Sequence, residues 1–475
     1  MRRCLLAGLM IVILSASVQA DSSMKIDTLS FGRFGVVHLY RTSDTPASVV
    51  LFVSGDGGWN LGVVDMAKSL AQLNALVVGI DIVHYLKQLE AAPGECSYPS
   101  GDFEALSQYI QKKLDLPTYS IPCLVGYSSG ATLVYALLVQ APTNTFQGAI
   151  SLGFCPDLPL TKPFCKGGGL EFGPGPKNKG YSFKPFLDMK MPFIILQGMI
   201  DQVCDNSFVS GYVKGMAKTE VVNLPKVGHG FSVPRNWMPQ FKDAFSKLQR
   251  ESQIDRVPVE SEVKDLPLVE VLPQGTANDL LAVIISGDGG WASIDRQIGD
   301  EFAGKGVAVV GLNALKYFWT RKTPEEASAD LNRIIRFYLN KWNKSSAILV
   351  GYSRGADVLP FMANRLSAET LNKVNLVALL APERMVDFQF HLTDWLGGSH
   401  KTDMPTLPEV QKLKGVKILC FCGSDEKESL CLDLDSTLAR TTMLKGGHHF
   451  DGDYKSIGEN ILQEALAKPS GTTPN

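Results

Sequence analysis

Short apolar runs alternate with longer stretches of helical periodicity along most of this chain. In the second half the runs read "LLAVIIS" from Leu280, "VAVVGL" from Val307, "SAILVGY" from Ser346, "NLVALLAP" from Asn375 and "VKILCFCG" from Val416. Between them lie "ASIDRQIGDEFAGKG", "PEEASADLNRIIRFYLNKW", a stretch from Gly355, and a closing "KSIGENILQEALA". Runs of this length rich in β-branched residues predict strands, and the amphipathic stretches between them predict helices. Their alternation predicts parallel βαβ units and a doubly wound sheet.

The first half repeats the pattern. "SGDGGW" begins at Ser54 and again at Ser286, 232 positions on, and "VVGID" at Val77 matches "VVGLN" at Val309 with the same offset. "LVGYSSGA" at Leu124 matches "LVGYSRGA" at Leu349, 225 positions on. Order is preserved, so the chain is a tandem duplication. The shorter offset places extra residues of the first half around "LEAAPGECSYPSGD", which a surface loop can absorb. The predicted organisation is a signal peptide over 1–20, a first domain over 24–250, a charged linker over 251–264, a second domain over 265–468 and a disordered tail over 469–475.

Both "GYSSG" and "GYSRG" fit G-x-S-x-G, each after a strand pattern and before a helix. That context predicts a nucleophile elbow, in which a sharp turn lifts the serine above the carboxyl edge of the sheet. The fold class implied is α/β, a tandem pair of α/β-hydrolase domains. An elbow serine requires an acid and then a histidine at the ends of later strands. In the second half, Ser353 is followed by Asp425 after "ILCFCG" and by His448 in "GGHHF"; His449 is the second choice of base, and Glu426 an alternative acid. In the first half Ser128, Asp201 and His229 form a candidate second triad. Ser353 would attack a carbonyl, His448 would shuttle the proton, and Asp425 would hold the imidazole tautomer.

The repeated "SGDGGW" lies after the first central strand, where this fold places an oxyanion-binding loop. Asp288 or Gly289, with Arg354 after the nucleophile, are the expected donors. Recurrence at the catalytic edge favours this role over a tight turn whose Trp291 only packs. Phe318 and Trp319 are candidates to line an acyl or lipid cleft. His38, His84, His391 and His400 have no partner motif, and "EFGPGPKNKGYS" from Glu171 is a loop without assigned purpose.

Composition narrows this picture. With 45% hydrophobic and 20% charged residues among 475, the chain is globular, and a formal charge of −2 gives no basic field for nucleic acid. "MRRCLLAGLMIVILSASVQA" has the charge, apolar core and small residues of a cleavable signal peptide, and its apolar stretch is shorter than the ~20 residues that span a bilayer. A periplasmic location is expected. Oxidising surroundings permit disulfides, and Cys155 with Cys165 and Cys422 with Cys431 are the loop-closing pairs the spacing offers. No paired CxxC elements occur and the histidines are scattered, so neither metal nor organic cofactor is expected.

At "SGDGGW", "YFWTRKTPEE", "GYSRGADVLPFMANRL" and "GGHHFDGDY" the second half resembles the VirJ/AcvB family of bacterial virulence proteins, and the duplicated layout with a signal peptide resembles its AcvB-like members. The resemblance implies a periplasmic α/β-hydrolase, associated with type IV secretion and with hydrolysis of aminoacylated phosphatidylglycerol, notably the lysyl lipid. It carries Ser353, Asp425 and His448 as the triad, and makes the second domain the principal active one. It implies an aminoacylated phospholipid as substrate, transient contact with a membrane surface, and secretion-system proteins as partners. An alternative is a binding protein that holds effector proteins, and another is an esterase of small soluble esters. An acyl group bearing ammonium also needs a carboxylate, and Asp357, about one helical turn past Ser353, is the candidate, where the first half has Thr132.

Overall fold

The computed structural model describes residues 23–254, 262–391, 403–413 and 415–467. The expected signal peptide and tail lie outside the described residues. Each half builds its own sheet. The first has eight strands: β1 (Lys25–Phe31), β2 (Gly35–Arg41), β3 (Ser48–Val53), β4 (Ala75–Ile80), β5 (Cys123–Tyr127), β6 (Ala149–Leu152), β7 (Phe193–Gly198) and β8 (Thr219–Leu224). They lie in the order β1-β2-β4-β3-β5-β6-β7-β8, antiparallel at β1 and β2 and parallel thereafter.

The second sheet repeats this order without the outermost strand. Its strands are β9 (Leu268–Val271), β10 (Leu280–Ile285), β11 (Ala308–Leu312), β12 (Ser346–Tyr352), β13 (Val374–Leu380), β14 (Lys417–Gly423) and β15 (Arg440–Leu444). Their order is β9-β11-β10-β12-β13-β14-β15, with only β9 antiparallel. Every residue of β3, β4 and β10 is buried, which is why these strands read as unbroken apolar runs. The edge strands β9 and β15 are half-buried or exposed and carry polar residues, so the apolar pattern does not mark them.

Helices cover both faces. Those that matter below are α1 (Leu61–Ala71), α2 (Ile82–Ala91), α3 (Pro99–Lys113), α4 (Ser129–Gln140) and α5 (Met238–Ile254) in the first domain. In the second they are α6 (Ser293–Gly304), α7 (Pro324–Lys341), α8 (Arg354–Ala363) and α9 (Tyr454–Leu466). Thr323 and Glu326 close a reciprocal capping box that starts α7. Helix α5 continues to Ile254, so the first residues of the stretch expected as a linker are helical, and 255–261 lie outside the described residues.

Two loops gain a role from the fold. "EFGPGPKNKGYS" supplies two arms of a small antiparallel sheet, Phe172–Pro174 and Tyr181–Phe183, with Asp157–Leu158 on its other edge. The inserted "LEAAPGECSYPSGD" is the end of α2, a disulfide-anchored turn and the start of α3.

The disulfides correct the sequence expectation. Cys96 pairs with Cys165, Cys155 with Cys204 and Cys420 with Cys431, while Cys123 and Cys422 are buried thiols. The reason is tertiary. A bridge between Ser97 and Phe164 brings Cys96 beside Cys165, and the loop after β7 brings Cys204 to Cys155.

The domains touch through Trp319. Its indole Nε1 donates to the Leu116 carbonyl at 2.7 Å, Lys112 Nζ donates to the Trp319 carbonyl at 2.5 Å, and the Lys112 ammonium lies 4.8 Å over the ring. Tyr119 and Phe390 complete the apolar contact. Trp319 therefore docks the second domain onto the end of α3, and Phe318 is fully buried in the second core. Neither is a cleft aromatic.

Candidate active site

The two elbows are superimposable in conformation. Ser128 sits at φ 55°, ψ −122° and Ser353 at φ 52°, ψ −122°, each between a parallel strand and the helix it opens. A non-glycine residue held there costs about 1–3 kcal/mol, which the surrounding packing must offset. Gly355 shows how tight that packing is: a Cβ there would stand 2.1 Å from the Ile285 carbonyl oxygen, so only glycine lets α8 lie against β10.

His448 Nε2 is 2.9 Å from Ser353 Oγ, and His448 Nδ1 is 2.7 Å from Glu426 Oε1. An ionised carboxylate can only accept, so the proton resides on Nδ1 and the Nε2 lone pair faces the serine hydroxyl. The other carboxylate oxygen of Glu426 accepts from the Gly423 N–H at 2.7 Å. Burial pushes the Glu426 carboxyl up, but the hydrogen bonds from His448 and Gly423 and the nearby imidazoles outweigh it and hold it below its ordinary value.

Asp425, the expected acid, makes no hydrogen bond to His448 among the described residues, and the alternative, Glu426, takes that place. The Asp425 side chain is exposed, and its Oδ1 accepts from Ser424 Oγ at 3.1 Å. The signal for Glu426 was in the sequence. Asp201 lies three residues past Gly198, and Glu426 lies three past Gly423. Serine to acid is then 73 residues in both halves, against 72 for Asp425, and the acids keep the 225-residue offset of the serines.

His449 does not reach the serine. Its Nδ1 pairs with the Tyr352 hydroxyl at 3.0 Å, and burial with the charge of His448 lowers its proton affinity. Tyr352 also donates toward the His448 carbonyl at 3.3 Å, as Tyr127 does toward the His229 carbonyl at 3.0 Å. The tyrosine before each nucleophile thus ties down the histidine loop, a role the shared "GYS" could have signalled.

The first domain holds the same relay. Ser128 Oγ lies 2.9 Å from His229 Nε2, and His229 Nδ1 lies 2.9 Å from Asp201 Oδ2. Asp201 Oδ1 accepts from the N–H groups of Val203 and Cys204, both at 2.9 Å, and its side chain is fully buried. Asp201, Cys204 and His229 present metal-type ligand atoms close together, but the Cys204 sulfur is bonded to Cys155 and both His229 nitrogens are engaged.

The glycine-rich loop lies against the nucleophile: a Cβ on Gly287 would stand 3.3 Å from the Ser353 Cβ. Asp288 and Gly289 line the same cleft as Ser353 and His448, and Arg354 opens α8. The Arg354 side chain adds what the sequence reading missed. Its Nε is ion-paired to Asp288, and its NH1 donates to the Asp387 carbonyl at 2.8 Å and the Gln389 carbonyl at 3.2 Å. The first domain has Ser129 there, its hydroxyl buried and without a hydrogen-bond partner among the described residues, and Asp56 exposed. Trp291 faces the core instead of the cleft. It covers Gly311, where a Cβ would stand 2.1 Å from the indole, as Trp59 covers Gly79. The glycine in "VVGLN" and "VVGID" is the seat for that tryptophan.

Asp357 is also misplaced as an ammonium site. It is 5% exposed, its Oδ1 accepts from the Glu383 N–H at 2.6 Å, and it is not among the residues lining the cleft. Burial, then the Glu383 charge, pushes its carboxyl well above the usual range. It locks the loop after β13 to α8, as Thr132 does in the first domain by donating to the Cys155 carbonyl at 2.5 Å.

The cleft over Ser353 has a volume of about 590 Å³ and is walled from both domains. Ile294, Asp295, His449 and Tyr454 come from the second; Tyr98, Ser100 and Glu104 come from the start of α3 in the first. Sequence spacing within one domain carries no signal for a wall supplied by the other.

A family profile described as "Bacterial virulence protein (VirJ)" matches residues 47–152 and 279–468, which together exceed half of the chain. Among solved structures, a putative dienelactone hydrolase from Klebsiella pneumoniae is 15% identical, with 49% of this chain and 99% of that one covered and a TM-score of 0.34. An esterase domain from Rhodothermus marinus is 14% identical over 48% of this chain and 98% of that one, TM-score 0.33. An α/β serine hydrolase without a lid from Xanthomonas campestris is 17% identical over 50% and 97%, TM-score 0.30. No curated protein sequence matches the chain.

Proposed function

On the premise that the chain belongs to the VirJ family of bacterial virulence proteins, we propose that its second domain is a serine hydrolase cleaving the aminoacyl ester of aminoacylated phosphatidylglycerol, with the lysyl lipid foremost. The observation that carries the hydrolase is the unbroken relay Glu426–His448–Ser353 opening on a cleft.

Ser353 Oγ attacks the ester carbonyl while His448 Nε2 takes its proton. The oxyanion that forms is received by backbone N–H groups of the Gly287–Gly289 loop and of Arg354. Collapse breaks the ester bond, and His448 returns the proton to the leaving glycerol oxygen of the lipid. Water, deprotonated by the same imidazole, then attacks the acyl-enzyme; the serine regains its proton and the free amino acid leaves. Glu426 holds the productive tautomer and stabilises the imidazolium, keeping its own charge throughout.

Three disulfides support an oxidising compartment, in line with a periplasmic site of action. Among the described residues no helix is long and apolar enough to cross a membrane. Met199, Ile200, Val203 and Phe208 each stand more than half exposed on one segment of the first domain, which supports transient contact with a lipid surface.

The test is product analysis by mass spectrometry after incubating the mature protein with vesicles containing lysyl-phosphatidylglycerol. Free lysine and phosphatidylglycerol are expected. Release of fatty acid and a lysolipid, or no product at all, contradicts the aminoacyl-ester reading.

A further inference from the structure

The cleft over Ser353 contains two carboxylates, Asp295 and Glu104, that make no salt bridge among the described residues; Lys316 lies in the small cavity adjoining Glu104 and not in the cleft itself. Asp295 is the third residue of α6 and is 1% exposed; it lines the cleft, and its Oδ1 has no hydrogen-bond partner. Glu104, one turn into α3 of the first domain, lines the same cleft and makes no hydrogen bond or salt bridge among the described residues. Burial alone pushes the Glu104 carboxyl up to about 7, and burial pushes Asp295 well above its usual range.

A buried acid is ordinarily paired with a cation, whereas Asp295 is supported only by the backbone N–H groups of Ala292 and its own residue, and Glu104 is half-buried beside it in the cleft wall. The cation beside the nucleophile cannot answer them: the Arg354 guanidinium is engaged by Asp288 and the carbonyls of Asp387 and Gln389. Nor is Asp295 an inheritance of the fold. With the 232-residue offset that aligns Trp59 with Trp291, the matching position in the first domain is Val63, an ordinary core residue. The acid is specific to the domain whose serine opens on the shared cleft.

We infer that Glu104 of the first domain and Asp295 of the second receive the ammonium groups of the substrate's acyl portion, so that the first domain completes the substrate site of the second. This deepens the proposed function and rests on its aminoacyl-ester reading. A lysyl ester carries two such groups, an alanyl ester one, and a butyrate ester none, so the cleft selects for acyl charge. Trp319 has a matching purpose: by docking onto the C-terminal end of α3, it holds the helix whose N-terminal part carries Glu104.

The experiment compares the full mature chain with Glu104→Gln, Asp295→Asn and Asp295→Val, the last restoring the side chain of the first domain. Each is assayed on lysyl-phosphatidylglycerol and on p-nitrophenyl butyrate, with KM and kcat separated. The expected result for Glu104→Gln and Asp295→Asn is a KM for the lysyl lipid raised about tenfold or more, with kcat little changed and butyrate turnover unaffected. Unchanged KM for the lysyl lipid in both variants overturns the inference. So does an equal loss on both esters, which marks a structural role. If the wild type cleaves butyrate but releases no lysine, the aminoacyl reading itself falls, an outcome distinct from the other two.

Discussion

Two serines, 225 residues apart, share one elbow conformation and one hydrogen-bonded relay, yet they stand in different surroundings. In the first domain the carboxylate that meets the histidine is Asp201, fully buried and stitched in place by the Cys155–Cys204 disulfide beside it. In the second it is Glu426, one methylene longer and 15% exposed, held by the backbone of Gly423. Near Ser128, but not lined by it, is a hollow of about 330 Å³ whose described wall residues all come from the first domain, whereas Ser353 lines a larger cleft to which both domains contribute. After duplication the serine and histidine of the relay stayed constant, its carboxylate changed from Asp201 to Glu426, and the wall around it diverged most. The difference teaches where to look for specificity: in the residue after the nucleophile, in the acid at α6, and in the face that α3 offers to its neighbour.

The largest effect expected separates the serines. Ser353→Ala should lower lysyl-lipid turnover by about a millionfold in kcat, while Ser128→Ala leaves it within about twofold; equal loss in both would erase the distinction between the domains. Next, Glu426→Gln should reduce kcat by on the order of ten-thousandfold through loss of the productive tautomer, and Asp425→Asn should not. Steady-state kinetics of the pair decides which acid serves His448.

Replacing Cys155 and Cys204 by serine should destabilise the first domain by about 4 kcal/mol in a chain-entropy treatment of a loop of this length, measured by denaturant unfolding, and spare the second. Arg354→Ser, the residue of the first elbow, removes the ion pair to Asp288. It should cost about 2 kcal/mol of stability, less than a fully buried pair because the Asp288 side chain is 29% exposed.

The smallest effect is a pH dependence. The Glu104 carboxyl is raised in the folded protein, so the stability linked to its neutral form is complete below its ordinary value and is lost as pH rises through about 7. Tyr98 and Tyr119, whose hydroxyls feel its charge, stay neutral in this range, and Lys316 lines the adjoining small cavity. The melting temperature of the wild type should therefore fall more than that of Glu104→Gln between about pH 5 and pH 8. Parallel profiles would remove Glu104 from the comparison.

Much of this architecture was legible in the chain. The unbroken apolar runs of β3, β10 and β12 gave away strands buried on both faces, the strand-to-helix context of "GYSRG" and "GYSSG" located both elbow serines, and the downstream loops "GGHHF" and "LPKVGHGF" supplied the histidines that meet them. The edge strand β15 escaped because exposed positions need not be apolar. Glu426, the alternative acid, is the carboxylate that meets His448, and the strict 225-residue offset from Asp201 points to it over Asp425. Disulfide partners and the Glu104 wall depend on which loops meet in space, and no local pattern encodes that. Asp357 shows the converse: a spacing of one helical turn put it near the serine, but its carboxylate faces a backbone N–H of the next loop.

On this reading Ser353 is a nucleophile activated through His448 by Glu426. The most direct test is covalent labelling with a fluorophosphonate, followed by peptide mapping of the wild type, Glu426→Gln and Asp425→Asn. An adduct on Ser353 is expected to form rapidly in the wild type and in Asp425→Asn and to be strongly slowed in Glu426→Gln. Absence of an adduct on Ser353 in the folded wild type, or slowing in Asp425→Asn alone, would contradict that reading.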